Sequence, residues 1–232
     1  MQKGNLAILV VCQLISATGS IVIVTLGGII GATFAATPAL ATLPVSLMVI
    51  ATASTTVPAT MLMRRIGRSR GFALASVSAA VAVAVAALAL REQSFGLFNV
   101  AAALFGINMA FTQQYRYAAA ESVPARYVPR AVSLVLLGSI GGAIVGPELA
   151  TRGHDWLEAV PYAGTMLSLA VLYVIQALLF LRLEGVRHDD GVAELESSRP
   201  LRDIIVQPVF AVAVLGGVTG FGLMTLVMTA TP

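Results

Sequence analysis

Long apolar runs, separated by short polar connectors, make up most of this chain. We place seven of them at residues 6–33, 39–63, 72–90, 95–120, 131–151, 159–181 and 208–231. A transmembrane helix needs about 20 apolar residues to cross a hydrocarbon core of roughly 30 Å, and every run is about that long. The runs lack the period-two alternation of barrel strands. The pattern therefore predicts an all-α fold, a polytopic bundle of membrane-spanning helices.

The first run admits a second interpretation, a secretory signal, because Lys3 precedes it and small residues occupy 17–20. Its apolar character continues to Ala36, however, which is longer than the apolar core of a signal. We therefore interpret it as the first transmembrane helix, with a cleaved signal as the lesser alternative.

Basic residues are distributed unequally between the connectors. Only Arg91 and Arg152 follow the third and fifth runs, and Arg116 lies inside the fourth. Positive residues accumulate on the cytoplasmic side, so the N-terminus is predicted to be cytoplasmic in a multi-pass protein of the cell (inner) membrane. The N-terminus and the connectors after the second, fourth and sixth runs hold the other basic residues, which are Lys3, Arg64, Arg65, Arg68, Arg70, Arg126, Arg130, Arg182, Arg187, Arg199 and Arg202.

Composition excludes several classes of protein. The chain is 58% hydrophobic and 11% charged, whereas charged residues make up about a quarter of a soluble domain. Its net charge of +3 does not indicate nucleic-acid binding, because the basic residues lie in connectors where they set membrane topology. The single cysteine, Cys12, excludes a disulfide framework within the chain.

Catalytic chemistry is also disfavoured by the residues of the runs. Both histidines, His154 and His188, fall in connectors, and no aspartate lies within a run. Intramembrane hydrolysis therefore lacks its nucleophile, base or metal ligands. A retinal protein would need a lysine deep in its last helix, and the only lysine is Lys3. We expect no enzyme activity, no cofactor and no metal site.

One connector, 182–207, is long and mixed in charge, and its composition is typical of a linker. It predicts three parts: a six-helix bundle at 1–181, a cytoplasmic linker at 182–207, and at 208–232 the first helix of a second bundle. The seventh run reaches Pro232 without a flanking charge. We therefore expect the chain to be a fragment of a longer protein.

The connector between the second and third runs is short, strongly basic and broken by glycines that permit a tight turn. Arg65, Gly67 and Arg68 resemble the signature Gly-x-x-x-Asp-Arg-x-Gly-Arg-Arg, which members of the major facilitator superfamily carry between these two helices. The resemblance implies that they form a cytoplasmic gating loop.

The same connector also departs from that signature. In the family the aspartate helps to latch two bundles together, so the arginine at its position leaves the latch in doubt. In the alternative interpretation, the arginines only fix topology through the positive-inside effect. The departures are Thr60 for the first glycine, Arg64 for the aspartate and Ser69 for the last arginine.

The fifth run carries a second partial match. Gly142, Gly146 and Pro147 resemble the Gly-x-x-x-Gly-Pro motif of the family's fifth helix, although Glu148 and Leu149 then depart from it. A spacing of four places glycines on one face for close packing, and proline removes a hydrogen bond and kinks a helix. The same residues equally fit a packing seam with no role in transport.

The order of six helices, linker and further helix resembles the first half of a twelve-helix permease of this superfamily. Residues 111–121 resemble a bacterial permease subgroup that includes riboflavin importers. The resemblance implies transport of a small organic solute by alternating access, with or without a coupling ion, through a cavity lined by the first and fourth helices.

The fourth run supplies a candidate for that cavity. Arg116 is a full charge inside a predicted helix, where facing lipid costs several kcal/mol. Asn108, Thr112 and Tyr115 share an arc of roughly 100° with it. Alternatively, Arg116 extends its head to the phosphates. The candidate cavity residues are Arg116, Asn108, Thr112, Tyr115, the bordering Gln113, and Gln13 in the first run.

Two rival functions stay open. The chain is either part of a permease, with the lipid bilayer and a small-molecule solute as partners, or a non-transport seven-helix membrane scaffold. A half-transporter that dimerises is a third option, for which a lone seventh helix has no obvious use.

Overall fold

The computed structural model describes residues 3–37, 40–153, 162–183 and 206–230. The chain divides into two units, Met1–Arg187 and His188–Pro232. Within the described residues all regular structure is helical, which confirms the prediction of an all-α bundle. The first unit contains α1 (Lys3–Phe34), α2 (Leu43–Ile66), α3 (Arg68–Arg91), α4 (Phe95–Thr112), α5 (Tyr115–Glu121), a 3-10 turn (Ala125–Tyr127), α6 (Val128–Arg152) and α7 (Ala163–Leu181), and the second contains α8 (Pro208–Ala230).

Among the described residues of the first unit, six helical segments are long and apolar enough to cross a membrane. Each coincides with one of the first six apolar runs, and α8 coincides with the seventh. Most of the predicted linker at 182–207 lies outside the described residues, so the division into two bundles stays a prediction. The six spans are Gly4–Phe34, Leu43–Ile66, Arg68–Arg91, Phe95–Glu121, Ala125–Arg152 and Ala163–Leu181.

The fourth span differs from the single helix that its apolar run predicts. It is interrupted by a turn at Gln113 and Gln114, where the Gln114 N–H donates to the Phe111 carbonyl at 2.9 Å. This three-residue spacing is that of a 3-10 turn and tightens the chain between α4 and α5. Both turn residues keep right-handed helical backbone angles, with φ and ψ of −59° and −19° at Gln113 and of −87° and −10° at Gln114.

Small residues allow the core helices of the first unit to approach closely. One face of α3 buries an alanine at almost every turn, and this face packs against α4 and α7. The larger buried rings fill the space that remains, with Phe72, Tyr115 and Phe180 in mutual contact at centroid distances of 4.9–5.1 Å. The buried alanines are Ala73, Ala75, Ala79, Ala82, Ala86 and Ala89.

The glycines of the fifth span form a seam against α1. A Cβ atom added to Gly142 would lie 2.5 Å from the Ala17 Cβ and 2.9 Å from the Leu14 carbonyl oxygen. A Cβ atom added to Gly138 would likewise lie 2.6 Å from the Val10 carbonyl oxygen. These contacts are with backbone or Cβ atoms, which do not swing aside. The two helices are therefore in near-backbone contact along the seam.

Because backbone atoms border Gly142, the substitution Gly142→Ala should force α1 and α6 apart. We expect a loss of about 1–3 kcal/mol in the free energy of unfolding, the usual cost of overpacking. Thermal unfolding in detergent measures it. Gly28 on α1 is the matched control, since nothing lies within 4 Å of its added Cβ. Equal midpoints for Gly142→Ala and Gly28→Ala would contradict the seam.

Candidate functional site

The predicted polar stripe of the fourth span is divided between the interior and the surface of the first unit. Asn108 and Tyr115 are completely buried, whereas Gln113 and Arg116 are exposed. Thr112 lies between them, half-buried, with its hydroxyl donating to the Asn108 carbonyl at 3.1 Å. The structure therefore brings Asn108, Thr112 and Tyr115 to the inner side and leaves Arg116 facing outward.

Arg116 lies in α5, five residues before Glu121, so it is about 8 Å from the end of the span. Its guanidinium lies 5.3 Å from the centroid of the Tyr117 ring, which is a cation–π distance. Among the ion pairs between described residues, none includes Arg116. A membrane-spanning segment thus contains an outward-facing cation that has no carboxylate partner among the described residues.

Gln13 joins α1 to α6 rather than to the fourth span. Its Nε2 donates to the Ser139 hydroxyl at 2.8 Å, and the side chain is half-buried. The seam described above lies on the same side, with the Gln13 Cβ 3.1 Å from the added Cβ of Gly138. Gln13 therefore contributes an interhelical hydrogen bond beside the glycines.

A buried polar cluster lies at the centre of the first unit. The Gln176 Nε2 is 3.0 Å from the Tyr115 hydroxyl and 3.1 Å from the hydroxyls of Ser16 and Ser76. All four side chains are completely buried. They come from α1, α3, α5 and α7, so one amide connects four helices. The only signal for Gln176 in the sequence is a glutamine in the middle of an apolar run.

Asn108 lies in the interior without such partners. Neither its Oδ1 nor its Nδ2 has a hydrogen-bond partner among the described residues. A buried amide left unpaired costs about 1–3 kcal/mol relative to a paired one. The described contacts give no structural reason for an asparagine at this position.

The predicted gating loop forms a tight turn between α2 and α3. Gly67 both ends α2 and begins α3, with φ of +87° and ψ of 156°, a conformation nearly restricted to glycine. Its N–H donates to the Met63 carbonyl at 2.9 Å. The requirement for this backbone conformation explains the glycine, while Arg65 on the preceding turn is exposed.

Two contacts fix the start of α3 after this turn. Arg68 forms an ion pair with Glu121 at the end of α5, and its side chain is only 11% exposed. The Ser69 hydroxyl donates to the Phe180 carbonyl of α7 at 2.6 Å. The turn is therefore tied to both α5 and α7. Sequence reasoning missed Glu121 because it lies 53 residues from Arg68.

The remaining motif, Gly142-x-x-x-Gly146-Pro147, lies within α6, which is helical from Val128 to Arg152. Gly142 and Gly146 are buried against α1, and Pro147 is exposed. Among the described residues, no group of His, Cys, Asp or Glu side chains could hold a metal ion.

Comparison with known proteins identifies the family to which this bundle belongs. The profile of the Major Facilitator Superfamily matches residues 9–232, nearly the whole chain. The chain belongs to the Major Facilitator Superfamily. This confirms the resemblance based on the second connector and the fifth run.

Among individual superfamily members, the chain is 36% identical to the riboflavin transporter RfnT of Brucella anthropi over 232 residues, which are 99% of this chain and 58% of that protein. Two uncharacterized MFS-type transporters of Bacillus subtilis are also similar. YddS is 24% identical over 84% of this chain and 46% of its own length, and YdeG is 26% identical over 79% and 44%. The chain thus spans about half the length of these relatives. No solved structure matches it significantly.

The unpaired amide of Asn108 gives a prediction for stability. Asn108→Leu removes two buried polar atoms that have no partner in the described structure, so the free energy of unfolding should stay equal or rise. Thermal unfolding in detergent measures this, and Asn108→Ala, which leaves a cavity, should lower the midpoint. A clear fall in the midpoint for Asn108→Leu would mean that its amide has a partner.

The Arg68–Glu121 pair gives a second prediction. Glu121→Gln should lower the free energy of unfolding by roughly 1 kcal/mol, because Arg68 is mostly buried and loses its counter-charge. The exposed Arg91–Glu92 pair, 4.0 Å apart, provides the control variant Glu92→Gln, for which no change is expected. The exchange Arg68→Glu with Glu121→Arg should recover part of the loss. If Glu121→Gln and Glu92→Gln behave alike, the pair does not hold α3 to α5.

Proposed function

We propose that this chain supplies the N-terminal six-helix half of a transporter that moves a small organic solute across the inner membrane by alternating access. Two observations support this. The family match extends over nearly the whole chain, and the chain spans 58% of the length of RfnT. In such folds two bundles rock about a central site and expose it to each side in turn. The N-terminus and the α2–α3 turn are assigned to the cytoplasmic side by their basic residues.

The outward-facing Arg116 is the observation that carries the proposal for the solute site. A cation without a carboxylate partner is costly against lipid, so it commonly faces a cavity or a partner. The arginine guanidinium presents several N–H donors and no acceptor. It can therefore bind an anionic or carbonyl-rich solute, but it does not carry a proton across the membrane. The half-buried Thr112 and exposed Gln113 border this surface.

Riboflavin is the first solute to test. RfnT is named a riboflavin transporter, and its similarity extends over 99% of this chain. The isoalloxazine ring of riboflavin carries two carbonyl oxygens, which accept hydrogen bonds of the kind that a guanidinium donates. We propose that Arg116 recognises these carbonyls.

The loop at Arg65, Gly67 and Arg68 is proposed to act in gating. The ion pair between Arg68 and Glu121 supports this, because it connects the turn to the helix that bears Arg116. For Gly142 and Gly146, the close contacts with α1 support packing as their role. We assign them no part in coupling.

Uptake measurements on the intact gene product that contains this chain test the proposal. With radiolabelled riboflavin in proteoliposomes, Arg116→Ala should raise the KM roughly tenfold or more, since a hydrogen bond to a charged group contributes about 1.5–3 kcal/mol. Arg116→Lys should give an intermediate KM. The control is Arg91→Ala, which removes an exposed arginine from the end of α3.

Each result has a distinct meaning. If the intact protein moves no riboflavin while folded and correctly inserted, riboflavin is the wrong solute. If it moves riboflavin and Arg116→Ala leaves KM unchanged, the solute site is elsewhere and Arg116 is a topology or interface residue.

A further inference from the structure

The amide of Gln176 has more hydrogen-bond partners than protons. Its Nε2 carries two N–H groups, yet three hydroxyl oxygens, those of Tyr115, Ser16 and Ser76, lie within 3.1 Å of it. One side chain thereby connects four helices in the described core of the first unit. The arrangement therefore restrains the positions of α1, α3 and α5 relative to α7.

The hydroxyl of Ser76 determines which way the amide faces. Ser76 donates its own proton to the Phe72 carbonyl at 2.9 Å, so toward Gln176 it can only accept. One N–H of Gln176 is thus committed to Ser76. The second N–H is shared between Ser16, on α1, and Tyr115, on α5. The Gln176 Oε1 lies 3.4 Å from the Ser16 hydroxyl, which gives that hydroxyl an acceptor.

Tyr115 connects the buried Gln176 amide to the exposed Arg116, which follows it in the chain. Its ring is enclosed by Phe72 and Phe180, at centroid distances of 4.9 and 5.1 Å, and only its hydroxyl reaches a polar group. Tyr115 is the first residue of α5, directly after the turn that ends α4. Both the ring and the hydroxyl of Tyr115 are therefore held, and these contacts restrain the rotation of α5. Fixing Tyr115 therefore fixes the direction in which the next residue, Arg116, points.

We propose that Gln176 is a positioning residue for solute binding, which acts through the Tyr115 hydroxyl on Arg116. This inference rests on the proposed function of Arg116 in the solute site. In a low-dielectric interior an unmade hydrogen bond is costly, so the amide also specifies a single orientation of α5. Removing it should weaken solute binding although Gln176 itself lies too deep to touch a solute at the surface.

The test is a double-mutant cycle in the intact gene product, reconstituted in proteoliposomes with riboflavin as the solute. Gln176→Leu should raise KM about tenfold, the size of one lost hydrogen bond of about 1.4 kcal/mol, with the maximal rate per folded transporter within about twofold of the unmodified protein. Adding Gln176→Leu to Arg116→Ala should raise KM no further, because the first change acts through the second residue. A purely structural role would lower the amount of folded protein and leave KM unchanged.

Tyr115→Phe provides an independent route to the same answer. It removes only the hydroxyl and keeps the ring, so it should fold even if Gln176→Leu does not. It should raise KM in the same direction, and Gln176→Leu should add little to it. Ser168→Ala is the control on α7, since the Ser168 hydroxyl donates only to its own helix, at the Gly164 carbonyl.

The outcomes separate the two proposals. If Arg116→Ala raises KM but Gln176→Leu and Tyr115→Phe do not, the positioning role is wrong and the proposed solute site stands. The positioning role is also overturned if the effects of Gln176→Leu and Arg116→Ala multiply. If Arg116→Ala itself leaves KM unchanged, the proposed solute site is wrong, and the positioning role through Arg116 is wrong as well.

Discussion

Near-backbone contact between helices is the constraint on which the first unit depends. Lipid tails are as apolar as leucine, so helices in a membrane gain little by hiding apolar side chains from their surroundings. Dispersion contacts between closely fitted surfaces and a few interhelical hydrogen bonds must supply the stability instead. Close approach is possible only where the side chain between two backbones is very small.

The small residues are accordingly placed at the helix contacts. Gly142 and Gly138 meet backbone atoms of α1, and Gly106 of α4 lies against the Met48 carbonyl of α2. At the α2–α4 contact the single proton of the Thr52 hydroxyl is shared between the Gly106 carbonyl at 3.0 Å and the Met48 carbonyl at 2.8 Å. A side chain at position 106 would remove that approach and the interhelical bond together. Glycine and hydroxyl residues thus act jointly at these contacts.

Much of this arrangement follows from the sequence. Six spans could be located because a hydrocarbon core requires a fixed length of apolar chain, and the glycines at 138, 142 and 146 share a face because a helix repeats every 3.6 residues. These inferences depend on local pattern alone.

The turn between α4 and α5 could not be located in that way. Gln113 and Gln114 are both good helix formers, so no local preference marks a break there. Tyr115, the first residue after the turn, contacts Phe72, Gln176 and Phe180, which lie 43, 61 and 65 positions away in the sequence. Asn108 and Arg116 lie about 80° apart even on an ideal helix, so a stripe of that width extends from the inside of the unit to its surface.

Because α5 has only seven residues, its contacts with distant parts of the sequence lie close to one another. In seven residues it presents Tyr115 inward to Gln176, Arg116 outward, and Glu121 to Arg68. Apolar packing of Tyr115, Ala118 and Ala119 holds its inner face, and polar contacts are added at its two ends. The α2–α3 turn determines where Arg68 lies, because Gly67 allows a backbone angle closed to other residues. A displacement of that turn would therefore act on α5 through Glu121, while the Gln176 amide resists rotation at the other end. If the proposed positioning role of Gln176 holds, these two restraints together set the direction of Arg116, and a change in either one would move this charge.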